Sequence, residues 1–318
     1  MHVTLVAPAL LAQPHEALQA TPALGRLAAD AMRIAPDADS ALLDALTLDV
    51  PAAPLAALGA GVDVGTRWVM RADPVTMTVS HDDVRVDARV DDLDDEERAT
   101  LMRLLATHFA ADALVFEAPR ADAWFVTSDT PFELQTTPVD AAIGRPLRDR
   151  LPAGRDAARW RRWLTEAQML LHEHPLASRH QPVNALWFSH AGCLPATRRA
   201  PALPAYGRAG RTMDVAAGIA RSGGASVAAL PTCDQLLAGA NDAIAVVDAS
   251  HDPDGLARLA RAWLDPLVAA LDARRITGLT IVADGGGCVA SWRVAPRRWL
   301  DRMRGRRSRF ELPRGIRR

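Results

Sequence analysis

The apolar positions of this chain come in three spacings, and each spacing predicts a different element. Val3 to Ala7 is a short continuous apolar run, as expected of a buried strand. From Thr66 to Val90 the pattern shifts toward period two. The stretch VTMTVS is rich in β-branched residues, His81-Asp82-Asp83 makes a turn, and VRVDARV alternates, which together predict a hairpin. Pro74 is expected to interrupt the first strand or to mark an edge. Helical spacing follows. Asp94 stands three residues before Glu97, the spacing of a capping box, and Leu101, Leu104, Leu105, His108 and Phe109 then fall on one face. A second helix is predicted over 156–174, with Trp160, Trp163, Leu164, Ala167, Leu171 and His174 as its stripe and Pro175 as its stop. The stretch from about Thr21 to Leu48 reads as mostly helical. Short strands are predicted at 114–116, 124–127, 183–188, 243–248 and 279–283, with a helix over 255–274 that bends at Pro266. The last strand–helix–strand order implies a parallel βαβ unit. The Pro/Ala/Arg-rich stretch 195–210 reads as a surface loop.

Composition narrows the class. The chain has 318 residues, 49% of them apolar, enough for one large domain or two small ones. The net charge is −1, which exerts no global pull toward nucleic acid or membrane. That balance hides an asymmetry. Between Arg293 and Arg318 there are 11 arginines against Asp301 and Glu311, a local +9, so the remainder carries −10. Lysine is absent from the chain. Three cysteines, Cys193, Cys233 and Cys288, lie far apart without zinc or redox spacing, and this points to a reducing compartment. The opening MHVTLVAPALLAQP lacks a basic start and carries Pro8, so it reads as a first strand rather than a signal peptide. No apolar run reaches the ~18 residues of a membrane span. The expected location is the cytoplasm.

Chemistry is suggested in four places. His172 and His174 flank Glu173, but residues two apart do not share a helix face, so a packing or hydrogen-bonding role for His174 is favoured over a metal site. In VVDASHDPDG, Asp248 and His251 follow a strand, and Asp284 ends the next one. Ligands gather at the carboxyl ends of parallel strands, so these three could meet along one sheet edge. Equally, Asp248 and Asp254 could cap the following helix. After Asp284 come three glycines, which suit either a phosphate cradle or a plain tight turn. The arginine-rich end interleaves Trp292, Trp299 and Phe310, a pattern that could meet nucleic acid or anionic lipid, although a solvated terminus is the commoner outcome.

Six stretches in order resemble one family. They are ATPALGRLAADA, RWVMRADPVTMTV, VRVDARVDDLDDEE, HPLASRHQPVNALWFSHAGCLP, YGRAGRTMDVAAGIARSGGASVAALP and VDASHDPDG. Together they resemble the archaeal-type cofactor-independent phosphoglycerate mutases of the alkaline phosphatase superfamily. More closely, they resemble a proteobacterial branch labelled phosphoglycerate mutase or rpf-cluster regulatory protein. The resemblance implies an α/β fold with a mostly parallel alkaline-phosphatase-like core sheet flanked by helices, and a smaller α+β insert. The corresponding domain boundaries are 1–72 and 150–295 for the core, 73–149 for the insert and 296–318 for an arginine-rich tail.

The family passes a phosphoryl group through a serine beside two divalent metals, which activate the nucleophile and stabilise the transferring oxygens. This chain departs from that pattern. Its first strand reads LVAPALL where the family has a metal-binding Asp, and the nucleophile segment reads PDADSALLDALTLDVP. The serine position maps onto Ala38, with Asp39 beside it and Ser40 as a possible substitute. The family's final Asp-His pair maps onto Asp284-Gly285, so the glycine loop is expected to be a stripped metal site. Residual metal ligands implied are Asp39, Asp248, His251 and Asp284. Implied substrate-binding positions are Arg71, Asp73, His174, Arg179 and Asn184, with arginine suited to bidentate contact with phosphate or carboxylate.

The resulting expectation is a catalytically degenerate, mutase-like binding or regulatory protein for a small anionic ligand or a protein partner. No cofactor is expected beyond at most one weakly held Mn, Zn or Mg ion, and nucleic acid is not expected as a partner. The alternatives are an active metal-dependent mutase or phosphatase with a relocated nucleophile, and a binder of nucleic acid or anionic membrane through the tail.

Overall fold

The computed structural model describes residues 1–27, 32–79, 83–178, 180–195, 200–249, 254–285 and 287–296. The chain opens with β1 (His2–Ala7), α1 (His15–Ala20), α2 (Pro22–Leu27), β2 (Arg33–Ala35) and α3 (Ala38–Ala45). It continues through α4 (Ala52–Ala60), β3 (Trp68–Val79), β4 (Val84–Arg89), α5 (Asp95–His108), β5 (Val115–Arg120), β6 (Ala123–Ser128), α6 (Val139–Ala142), α7 (Ala157–His172) and β7 (Ala185–Gly192). The last part holds β8 (Ala205–Tyr206), α8 (Arg211–Ser222), β9 (Val227–Ala228), α9 (Cys233–Ala238), β10 (Ala243–Val246), α10 (Gly255–Leu259), α11 (Asp265–Asp272), β11 (Gly278–Gly285) and β12 (Cys288–Val294). No helix among the described residues is long and apolar enough to cross a membrane.

The chain divides into two compact units. The first comprises Met1–Asp49, Ala200–Arg208 and Ile219–Arg318; the second comprises Val50–Arg199 and Ala209–Gly218. The expected insert 73–149 falls inside the second unit, which also takes in α4, α7, β7 and the first eight residues of α8.

The first unit is a mixed α/β layer built on a seven-stranded sheet of order β2-β12-β11-β1-β10-β8-β9. β1 pairs in parallel with both β10 and β11, and β10–β8 and β8–β9 are parallel too. β12 and β2 close one edge antiparallel. Period-two patterning sets its faces. Val3, Leu5, Ala7, Leu279, Ile281, Ala283 and Trp292 share one face and pack against Leu24, Leu27, Leu264, Leu267 and Leu271 of the helices. α3 packs on β11 and β12. The βαβ unit from β10 to β11 passes over β1, which lies between them. Pro266 is accommodated by a π-helical turn over Ala260–Leu264 just before α11, consistent with the backbone hydrogen bond that proline cannot make. Two strands departed from the sequence reading. β2 interrupts the stretch read as helical, and β8, inside the stretch read as a surface loop, is a sheet strand with Ala205 fully buried.

The second unit is built on a five-stranded antiparallel sheet in which β3 is central. β3 pairs with β7 along one side. On the other side it pairs first with β6, through Arg71, and then with β4, from Val75 onward. The expected hairpin is β3–β4. Pro74 neither ends the strand nor marks an edge, contrary to the sequence reading. Its carbonyl accepts from Val90 N, so its missing N–H would point to the same side, into the gap where β6 hands over to β4. One face of this sheet carries Met70, Ala72, Trp124, Val126, Leu186 and Phe188 into a core with α5 and α7. α5 begins with the expected capping box between Asp94 and Glu97 and buries Leu101 and Leu105, with Phe109 at its C-cap. α7 buries Trp160, Trp163, Leu164, Ala167 and Leu171 of the expected stripe, while His174 falls past its end and is half-buried; Trp160 and Trp163 meet edge to face at 4.9 Å between ring centroids.

Candidate functional site

The other face of the five-stranded sheet is polar where it is most buried. Residues directly opposite in antiparallel strands share a face. The register sets Glu117 of β5 opposite Phe125 of β6, Phe125 opposite Arg71 of β3, and Arg71 opposite Ser189 of β7. Arg71 has no exposed surface, and its guanidinium carbon lies 5.7 Å from the Phe125 ring centre, within cation–π range. Two residues along β3, Asp73 is also buried.

Helices α4 and α8 supply the other side of this layer within the second unit. α4 packs on β3, β6 and β7. The two helices approach backbone to backbone, which only glycine permits. A Cβ on Gly59 would fall 1.8 Å from the Asp214 carbonyl oxygen, and one on Gly218 would fall 1.9 Å from that of Leu55. The start of α8 is held by a chain of charges. Arg211 forms a bidentate ion pair with Asp73, the Nη2 contact being 3.0 Å. The Arg211 amide donates to Asp122 Oδ2 at 2.9 Å, so a carboxylate from the β5–β6 turn serves the helix N-terminus. Arg120 donates to Asp122 Oδ1 at 3.0 Å and to Asp214 Oδ2 at 2.7 Å. Arg89 pairs with Asp91 and Asp140 beside this chain, at 2.7 and 3.2 Å.

The charges perturb one another in opposite directions. Burial pushes the Asp73 carboxyl up, but Arg211, helped by Arg71 and Arg89, outweighs it and holds the group below its ordinary value. For Asp214 burial wins. It is pushed up to about 6, with Arg120 and Arg71 pulling against burial and Asp122 adding to it. Asp73 takes two contacts from Arg211, whereas Asp214 takes one from Arg120 and has the like charge of Asp122 near it.

The residues picked from the sequence do not all gather here. Arg71 and Asp73 do. Asn184 immediately precedes β7, and its amide clamps Met77 of β3 by accepting from the backbone N–H at 2.7 Å and donating to the carbonyl at 2.8 Å. His174 is half-buried past the end of α7, and its Nδ1 accepts from Leu176 N at 3.3 Å, the hydrogen-bonding role favoured above. Arg179 and His251 lie outside the described residues, as does the arginine-rich end beyond residue 296. Trp292 is a core residue of β12, 3% exposed, with its indole N–H donated to Leu27 O.

In the first unit, Asp39 is buried in the first turn of α3, next to Ala38. Asp37, unnoticed in the sequence, caps that helix by accepting from Ser40 N at 2.7 Å. Asp284 Oδ1 accepts from Ala9 N at 2.6 Å and so fixes the left-handed turn after β1. Asp248 is exposed beyond β10, two strand positions from β11, which is about 10 Å at ordinary strand spacing. Of the glycine loop, Gly285 and Gly287 are described: β11 and β12 pair antiparallel up to Gly285 opposite Cys288. Gly285 has φ 134°, and a Cβ there would lie 2.1 Å from Ala12 N, so this position excludes a side chain.

The sequence missed Arg120, Asp122, Arg211 and Asp214. The available signal was the i, i+3 pair Arg211/Asp214 at a helix start, together with Arg120/Asp122 at a hairpin tip. It also missed Ser189, whose hydroxyl is 3.0 Å from His190 Nδ1 while His190 takes a left-handed φ of 63°.

These features define a mixed α/β protein with a buried arginine–aspartate layer in its second unit. Residues 29–177 match the model of the 2,3-bisphosphoglycerate-independent phosphoglycerate mutase family. Among solved structures, the chain is similar to the cofactor-independent phosphoglycerate mutase from Thermoplasma acidophilum DSM 1728, at 18% identity over 98% of this chain and 93% of that one, with a TM-score of 0.47. It is also similar to the PH0037 protein from Pyrococcus horikoshii, at 15% identity over 92% and 87%, with a TM-score of 0.49. No curated protein matches.

Proposed function

We propose that this chain is a cytoplasmic, phosphoglycerate-mutase-like protein that no longer transfers phosphoryl groups and instead binds a small anionic ligand in a regulatory role. The observation that carries this reading is Ala38. It opens α3 beside the buried Asp39, at the place that the resemblance assigns to the nucleophile, and a methyl group cannot attack phosphorus. Gly285 supports it, because the Ala12 backbone fills the space a histidine side chain would need. So does Asp284, which anchors the Ala9 amide. A metal in the family's site would activate the nucleophile and neutralise phosphate charge. The strand-end residues do not fit a pair of ions: Asp248 is exposed and about two strand spacings away from Asp284. Asp39, with the equally buried Asp37 beside it, is left to hold at most one Mn, Zn or Mg ion. The arginine layer supports the anionic ligand, since guanidinium groups match phosphate and carboxylate geometry.

The test is a mutase assay on 3-phosphoglycerate with added manganese, combined with trapping of any phosphorylated protein. The reading expects no turnover and no phosphoprotein; either one would overturn it. A second reading has one specific observation behind it. Ser189 is hydrogen-bonded to His190 and lies opposite Arg71, the arrangement a relocated nucleophile needs. Turnover abolished by Ser189→Ala would establish it.

A further inference from the structure

The arginine layer carries its own anions. Arg71 has no exposed surface, and Arg120 and Arg211 are each engaged by carboxylates of the same unit. An external anion at Arg120 or Arg211 must compete with a carboxylate that is already there. Two of the contacts involved belong to one short piece of chain, Ala209–Gly218, which is counted with the second unit although the residues on both sides of it are not. That piece supplies Asp214 to Arg120 and Arg211 to Asp73. It has no sheet strand, and it is seated on α4 by the glycine contacts at Gly59 and Gly218.

We propose that the first half of α8 is a strap that closes the arginine-bearing face of the five-stranded sheet, with Asp214 standing in for the ligand's negative charge, so that a phosphate is admitted only when the strap is released. This rests on the anion-binding reading above and adds its regulation. The groups facing Asp214 are Arg120 from β5, Asp122 from the following turn and Arg71 from β3. α4 brings no charge, its sequence being AAPLAALGA. The strap is therefore held by two ion pairs, one helix-terminal hydrogen bond, a close glycine contact and the burial of Met213, Val215, Ala216 and Ala217. Each can be removed without touching Arg71.

Release the strap with Gly59→Ala, whose added methyl collides with the Asp214 carbonyl. Follow hydrogen exchange in residues 211–218, and titrate with inorganic phosphate at constant ionic strength. The expected result is exchange at least tenfold faster than in the unmodified chain and phosphate affinity raised at least tenfold. The gain should vanish in Gly59→Ala/Arg71→Met. Asp214→Ala removes the Arg120 tether without a wedge and should shift both readouts the same way, which covers a Gly59→Ala chain that does not fold. Equal, tight phosphate binding in the unmodified chain and the variants would overturn the strap and leave the anion-binding reading intact. Faster exchange with no phosphate binding in any variant would overturn both. A gain that persists without Arg71 would also overturn the strap, because the anion would then bind elsewhere.

Discussion

Asp214→Asn isolates the energetic consequence of burying a carboxylate whose burial outweighs its ion pair with Arg120. The side chain is 2% exposed, and burial raises its carboxyl from 3.8 to about 6. A folded-state value above the unfolded one means that the folded chain holds the proton more tightly. Its favourable contribution is complete below about pH 4 and is lost as pH rises through 6. A rise of about two pH units, at about 1.4 kcal/mol each, predicts a loss of roughly 3 kcal/mol across that window. Asparagine keeps the shape and an oxygen for Arg120 but cannot ionise, so the variant should lack this slope. Asp73 does not confuse the comparison, because its value is displaced downward and its contribution is lost only in more acid solution. The assay is urea unfolding at steps from pH 4 to pH 7.5, with local opening read by hydrogen exchange in residues 211–218. Taking the difference between wild type and variant cancels the other carboxylates. The expected difference changes by roughly 3 kcal/mol between the two ends, with the variant the more stable at pH 7.5. Parallel profiles would refute the reasoning, since they would mean that the Asp214 site is wet enough to remove the burial penalty.

Other substitutions test neighbouring claims. Asp73→Ala leaves the Arg211 guanidinium buried beside an empty position and should cost about 3–5 kcal/mol by urea unfolding. In the unmodified chain, the Asp73 contribution is present above its unfolded value and should fade as pH drops below about 4, an acid loss absent from Asp73→Asn. Asn184→Ala removes both bonds to Met77 and strands a backbone N–H and carbonyl, for about 2–3 kcal/mol, with faster amide exchange at Met77. Gly285→Ala should cost about 2 kcal/mol or more, because it meets both a positive φ and the Ala12 backbone. A cost near zero by thermal unfolding would remove the case that this position excludes a side chain.

What could be read from the sequence and what could not divides along a physical line. Local rules decided the capping box at Asp94, the stripe of α7, the β3–β4 hairpin and the apolar strands β1, β10 and β11, and all of these were legible. β2 and β8 are two or three residues long and carry no periodicity of their own; they exist because a neighbouring strand offers hydrogen bonds. Pro74 was misjudged for a similar reason, since the position of a partner's handover is not written in the strand itself. Among the candidate site residues, Arg71 and Asp73 were found because they are close in sequence and match a family pattern. Their companions come from β5, a turn and a helix over 130 residues away, and alone each is an ordinary arginine or aspartate. The carboxylates also change what the arginines mean. The resemblance makes Arg71 a substrate-binding position; in the fold it lies in a layer that also holds carboxylates, Asp73 and Asp214 among them. An anion-binding role therefore cannot depend on arginine count alone and must include a way to withdraw a carboxylate. Segment 209–218 is where that withdrawal would leave the sheet itself intact: it adds no strand, and the cost falls on the buried Met213, Val215, Ala216 and Ala217 and on the glycine contacts with α4.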